Sequence, residues 1–204
     1  EALRRVYGPL AQARVIANAT TAERAVNAGE PFVLAAGRWW DDGKNAATLD
    51  AAAGLARWPV VMAGALDGPN GASVRLRHAE TPGELPRAEI SALMRRAAVF
   101  ASAARYEPFG LAVLEAAMRG AALVLADIAT FRELWHDAAL FVVGDDAAGF
   151  AAAFDRLAVE PALRRRLAAR ASERARRFTP ARQVGQVRQA YAAAKTQRQL
   201  VAAG

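Results

Sequence analysis

The sequence predicts an α/β fold, a doubly wound parallel sheet followed by a helical tail. Three observations predict it. From Pro31 onward, short apolar runs of strand length alternate with helix-like stretches. The runs are continuously apolar and do not alternate with polar residues, as expected of parallel strands covered on both faces. Beyond Val143 the strand pattern stops and helical patterns fill the chain.

The elements follow in order. Residues 1–30 read as a linker or a remnant of a preceding domain, apart from the main domain at 31–204. This leader has a short helix over 1–14 interrupted by Gly8-Pro9, an apolar run at Val15-Ile16-Ala17, and a polar stretch at 18–21. Strands are expected at 32–36, 59–63, 74–76, 98–101, 121–126 and 139–143. Helices are expected at 46–57, 88–96 and 111–119, with a short one near 131–135. Right-handed crossovers would place these helices on the two faces of the sheet. The tail adds helices at 146–159, 161–177 and from Pro180 on. In the last of these Val184, Val187 and Tyr191 fall on one apolar stripe.

Composition narrows the chemistry. The 204 residues are 54% hydrophobic, enough to bury the core of one ordinary domain. Cysteine is absent, which excludes disulfides, thiolate nucleophiles and cysteine-based zinc or iron–sulfur sites. His78 and His136 stand far apart and receive no role, and no metal site is expected. No run approaches the ~18 apolar residues of a membrane span, and no leader pattern opens the chain, so a cytoplasmic protein is expected. Residues 1–150 carry 15 basic and 17 acidic side chains, whereas residues 151–204 carry 12 basic and 3 acidic. The +7 net charge therefore belongs to the tail. Aromatic residues are sparse there, which argues against nucleic acid as a partner. Arg164-Arg165-Arg166 reads as a solvated face, or as a contact for anionic lipid or an acidic partner.

Open α/β sheets bind ligands beyond the carboxyl ends of their strands, so the chemistry is sought in three loops. The first loop runs from Gly37 through Arg38 and Asp42-Gly43 to Lys44. Its two cations either straddle a diphosphate or sit solvated around a turn. Lysine is otherwise found only at Lys195, against 25 arginines, which singles out Lys44. The second loop carries Glu107, Phe109 and Gly110 into a helix starting at Leu111, with Glu115 on its second turn. A glycine and a free helix N-terminus suit an anion, whereas carboxylates suit sugar hydroxyls. The alternative is a plain helix start with two surface glutamates. In the third loop Asp127 and Thr130 are expected to cap a helix, and Glu133 is a further candidate to face the cleft.

The stretch Tyr106-Glu107-Pro108-Phe109-Gly110-Leu111-Ala112-Val113-Leu114-Glu115 resembles the E-x7-E signature of retaining family-4 glycosyltransferases of the GT-B fold. Gly37-Arg38 with Lys44 is similar to that family's Arg–Lys pair. Val61-Met62-Ala63-Gly64, Gly83-Glu84-Leu85 and Arg132-Glu133-Leu134 agree in order. The resemblance implies a Rossmann-like donor-binding domain, the C-terminal half of the GT-B fold, and a hexosyltransferase-type activity with retention. It implies that Arg38 and Lys44 bind the diphosphate of a nucleotide sugar. Gly37 belongs to the same loop. Glu107 and the backbone of Phe109, Gly110 and Leu111 would hold the sugar and its phosphate, and Glu115 the ribose. Arg38, Lys44 and Glu107 would be catalytic. The nucleotide sugar would be a substrate, with no cofactor and no metal. An N-terminal acceptor domain, of which residues 1–30 would be the trailing edge, is the expected partner, and an anionic membrane surface a further one. Without that acceptor domain the chain is expected to transfer no sugar. The alternatives are a sugar-nucleotide binding module without turnover and a glycogen- or sucrose-synthase-like relative. A dinucleotide oxidoreductase is disfavoured, because no strand is followed by G-x-G-x-x-G.

Overall fold

The computed structural model describes residues 5, 6, 8, 9, 13–69 and 71–202, the side chains of 196–202 excepted. Six strands run in chain order as β1 (Glu30–Ala36), β2 (Val60–Ala63), β3 (Glu80–Gly83), β4 (Ala97–Ser102), β5 (Ala122–Ala126) and β6 (Ala139–Val142). The helices are α1 (Ala46–Ala53), α2 (Arg87–Arg96), α3 (Leu111–Met118), α4 (Ala129–Trp135), α5 (Ala147–Val159), α6 (Pro161–Ala175) and α7 (Pro180–Ala202). A 3-10 turn at Asp42–Lys44 precedes α1.

All strand pairs are parallel and the sheet order is β3-β2-β1-β4-β5-β6. This is the doubly wound, Rossmann-like order, in which the winding reverses between β1 and β4. The register sets Leu34 beside Val61 on one side and beside Phe100 on the other, and Phe100 beside Leu123. Val33, Leu34, Val99, Leu123, Val124 and Leu125 are all sealed from solvent. The apolar runs are continuous because both faces of these strands are covered. Leu49 of α1, Leu114 of α3, Phe131 and Trp135 of α4, and Phe150 and Phe154 of α5 complete the core.

The expected strand at 74–76 is not one. Val74 instead donates its N–H to Leu66 O, and Ser73 bridges antiparallel to Asp67, on the way from β2 to β3. The true third strand, β3, has the sequence Glu-Thr-Pro-Gly and three of its four residues are exposed. An edge strand needs no apolar run and tolerates a proline, so the pattern that marks the other five strands is absent from it. The first helix ends at Ala53 and not at 57, with Gly54 as its C-cap.

Residues Thr20–Arg177 form one compact unit. Asn27 fixes the opening segment of this unit: its Nδ2 donates to Met94 O (3.1 Å) and Arg119 O (3.2 Å), and Ala28 N donates to Arg95 O (2.8 Å). The other unit comprises the segment up to Ala19 and the chain from Phe178 on. Within it α7 leaves Val184 and Tyr191 exposed. The helix read at 1–14 lies mostly outside the described residues; Arg5 and Val6 are helical.

Candidate functional site

The reversal of winding sets the loops after β1 and β4 side by side at the switch point, the place where open α/β sheets take their ligands. The first and second loops of the sequence reading are these two. After β1 the chain passes Gly37, whose N–H donates to Ala63 O (3.1 Å) at the end of β2. Close approach here depends on Gly64, at φ +132°, where a Cβ would lie 1.8 Å from Gly37 O. Trp39 then anchors the loop, buried with its Nε1 donating to Ala63 O (3.1 Å). Asp41 caps the 3-10 turn by accepting from Gly43 N (2.9 Å), and the turn delivers Lys44.

After β4, Glu107 lies just before α3. Gly110 begins that helix in the left-handed region at φ +86°, where a Cβ would stand 3.0 Å from the buried Phe131 ring. One Glu107 oxygen, Oε1, accepts from the N–H groups of Gly110 (3.0 Å) and, more distantly, Phe109 (3.4 Å). Its other oxygen, Oε2, accepts from Lys44 Nζ at 2.7 Å. The two side chains keep 23% and 18% of their exposure, so the pair is largely desolvated yet reachable. The Lys44–Glu107 contact is thus a charge-assisted bond between the loop after β1 and the loop after β4 at the switch point.

The other candidates are placed differently. Arg38 is exposed, 3.3 Å from Asp41 Oδ2, with its guanidinium 5.6 Å from the Trp40 ring centre. Glu115 is set on α3 beside the leader and the start of α2. Its Oε1 accepts from Thr20 Oγ1 (3.1 Å) and from the exposed Arg87 (3.4 Å). In the third loop neither Asp127 nor Thr130 caps α4, whose N-cap is Ile128 without a side-chain bond. Asp127 instead receives Arg132 in a two-pronged pair at 2.6 and 2.7 Å. The hydrogen bond from Arg132 holds the Asp127 carboxyl below its ordinary range. Among the described residues, no three His, Asp or Glu side chains gather as a metal site.

Sequence reasoning passed over several polar residues. Arg105 Nε and Nη2 reach Asp145 Oδ1 at 3.1 and 2.8 Å. Thr20 and Arg87 flank Glu115, although neither carries a motif. Asn45 and Asp50 are both buried, at 2% and 9% exposure. A polar residue on the first turns of a helix was the available signal for them, but surface helices show the same pattern. Arg164, read as part of a solvated run, packs over the Trp58 ring (5.2 Å) and is half-buried, whereas Arg165 and Arg166 are exposed. No helix among the described residues is long and apolar enough to cross a membrane.

Comparison with known proteins agrees with this architecture. Sucrose-phosphate synthase from Thermosynechococcus elongatus superposes with a TM-score of 0.77 at 24% identity, covering 100% of this chain and 56% of that protein. Anabaena HepE, solved in complex with UDP and glucose, gives 0.68 at 21% identity over 80% of this chain and 48% of its own. The catalytic domain of cholesterol-alpha-glucosyltransferase from Helicobacter pylori gives 0.60 at 22%, over 73% and 99%. The chain thus spans about half the length of the first two. No curated protein matches the sequence. The family model of glycosyl transferases group 1 matches residues 22–174, a span that contains both loops and both glutamates. By that match, this chain belongs to the glycosyl transferases group 1 family, on a sheet that is the Rossmann-like C-terminal half of a GT-B fold.

Proposed function

We propose that this chain is the donor-binding half of a retaining glycosyltransferase that takes its sugar from a nucleoside diphosphate. The observation that carries the reading is the Lys44–Glu107 contact at the switch point, beside the N-terminal N–H groups of α3. A cation, backbone donors and a carboxylate gathered there suit the two ends of a sugar–phosphate bond. Lys44 and Arg38 receive the diphosphate, and the positive end of α3 adds to their field. Glu107 and the backbone of Phe109, Gly110 and Leu111 hold the sugar and adjoining phosphate. Glu115 takes the ribose hydroxyls in place of Thr20 and Arg87.

In the transfer, the bond from the anomeric carbon to the phosphate oxygen breaks and both electrons leave with the diphosphate. An acceptor hydroxyl bonds that carbon on the same face and passes its proton to the departing phosphate oxygen. Fixed cations that meet the developing charge lower this barrier without reorganising, and they stand where a metal would otherwise serve. Catalysis also needs the acceptor held in register. The acceptor lies on a separate N-terminal domain in this reading, so the chain by itself binds donor and transfers nothing.

A thermal-shift series with UDP, ADP, GDP and their glucose conjugates tests the reading, UDP first because HepE was solved with it. A ligand at about 100 times its Kd adds about 2.7 kcal/mol of stability. Glu107→Ala is expected to weaken the nucleotide sugar and spare the free diphosphate, whereas Glu115→Ala weakens both alike. If none of these ligands raises Tm, or if both variants bind as the parent does, the donor-site reading falls.

A further inference from the structure

The geometry points to Asn45 as a positioning residue for Lys44, acting together with Asp145 and Arg105 by bolting the loop after β6 onto the two loops of the site. The inference rests on the donor-site reading for its purpose, though not for its geometry.

Lys44 ends the 3-10 turn, and the chain must then reverse into α1. Asn45 makes that turn at φ 57° and ψ 49°, a left-handed conformation which asparagine adopts more readily than most residues. At such a position asparagine often caps the following helix, but here the side chain makes no cap bond. Its Nδ2 instead donates to Ala103 O (3.1 Å), Gly144 O (2.7 Å) and Asp145 Oδ1 (3.0 Å). Its Oδ1 accepts from Thr48 Oγ1 (2.9 Å). With 2% exposure and donor and acceptor both engaged, this amide is a buried and satisfied polar junction. Ala103 follows β4 and Gly144 follows β6, so one side chain joins the ends of three elements at the residue next to Lys44.

A second set of bonds closes the frame. Arg105, two residues ahead of Glu107, donates its backbone N–H to Gly43 O (3.0 Å) and its Nη1 to Asp42 O (3.0 Å). Its Nε and Nη2 reach the same Asp145 Oδ1 that Asn45 uses. The segment 42–45 is thus tied on both sides of Lys44 to the segment 103–107 that carries Glu107. The loop after β6 shows no chemistry-bearing motif, yet Asp145 is the shared acceptor. Holding a lysine near a departing phosphate to within a fraction of an ångström needs such support, because its four-carbon stem is otherwise free to swing.

The chain's lysine content supplies a readout that does not depend on any ligand. Lys44 and Lys195 are its only lysines, and Lys195 is exposed. Limited acetylation by acetic anhydride, followed by peptide mass spectrometry, gives the Lys44 to Lys195 labelling ratio. Asn45→Gly keeps the left-handed turn and removes the junction. Asp145→Ala alters an exposed side chain and leaves the core untouched. Both are expected to raise the ratio at least threefold and to weaken UDP at least fivefold by titration calorimetry, with uridine affinity little changed. If Asn45→Gly fails to fold, Asp145→Ala carries the test alone. An unchanged labelling ratio in the folded variants overturns the inference, whatever the ligand data show. A raised ratio in a protein that binds no UDP upholds the positioning and overturns the donor-site reading. Loss of UDP and uridine in equal proportion, with a lowered Tm and an unchanged ratio, assigns Asn45 a merely structural role.

Discussion

Two buried polar side chains, Asn45 at the N-cap of α1 and Asp50 in its middle, organise two different loops by opposite chemistry. Asn45 is neutral and chiefly donates, joining the ends of β4 and β6 to the turn that bears Lys44. Asp50 is charged and only accepts. Its carboxylate takes the N–H groups of Arg77, His78 and Ala79 at 2.9–3.0 Å, fixing the end of the excursion that leads into β3. Three successive backbone N–H groups form an anion nest, and here the chain fills it with its own carboxylate. The Asn45 loops hold a charged pair, Lys44 and Glu107, that stays reachable. In the Asp50 loop the three N–H groups are taken by the chain's own carboxylate. A buried acceptor with a full set of donors serves stability, whereas a satisfied neutral junction leaves neighbouring charges available for a ligand.

The largest expected effect removes the ground under the Asn45 side. Gly64→Ala places a methyl 1.8 Å from Gly37 O at a φ that side chains rarely adopt. The loop after β1 must then leave β2, and a loss of more than about 4 kcal/mol is expected, in the range of exceptional single changes. Chemical denaturation checks it. A variant as stable as the parent would show that the two loops are free to separate.

Next comes the Asp50 side. Burial raises its pKa, but the bonds from Ala79, His78 and Arg77 outweigh burial and leave it below its ordinary value. A carboxyl with a folded pKa below its unfolded one contributes stability that is fully present above the unfolded value, near pH 4. That contribution drains away as pH falls through the folded value. Asp50→Asn is expected to cost about 1.5–3 kcal/mol at pH 7, the range for bonds to a charged group. It should also flatten the acid limb of stability below pH 4 and leave UDP affinity within about twofold. A large loss of UDP binding at unchanged stability would erase the distinction between the two loops.

The third test stays at the switch point. Lys44→Ala is expected to weaken UDP by roughly 1.5–3 kcal/mol and uridine hardly at all, measured by titration calorimetry. The affinity of the parent should also fall with salt, since the contact is between charges and partly screened. Equal losses for both ligands would move the diphosphate elsewhere. The smallest effect belongs to Arg38→Ala. Its side chain is 65% exposed and meets Asp41 and Trp40 among the described residues, so a loss of about 1 kcal/mol or less is expected in the same titration. An Arg38 effect larger than that of Lys44 would mean the guanidinium swings toward the switch point when ligand arrives.

What the sequence determined by itself is whatever depends on local pattern. Five of the six strands are buried on both faces or nearly so, and burial on both faces writes a continuous apolar run that a reader can find. The helices declare themselves by apolar periodicity, and α3 by the Gly110 that starts it. The loop after β1 and the loop after β4 were legible as anion-friendly segments at strand ends, and the family likeness of Glu107 through Glu115 tied them to one class of protein. Tertiary structure decided the rest. Strand order makes β1 and β4 neighbours, and this is what lets Lys44 bond Glu107, 63 residues away. The edge strand β3 stayed hidden because a strand with one neighbour and open faces has no need of apolar residues. Asn45, Asp50 and Asp145 carried no signal that sets them apart from surface residues, because an isolated polar side chain reads the same whether it ends in water or in a network. Apart from Thr48, three residues from Asn45, the partners lie between 27 and 100 residues away in sequence, and hydrogen bonds over such separations exist only once the sheet has brought the strand ends together.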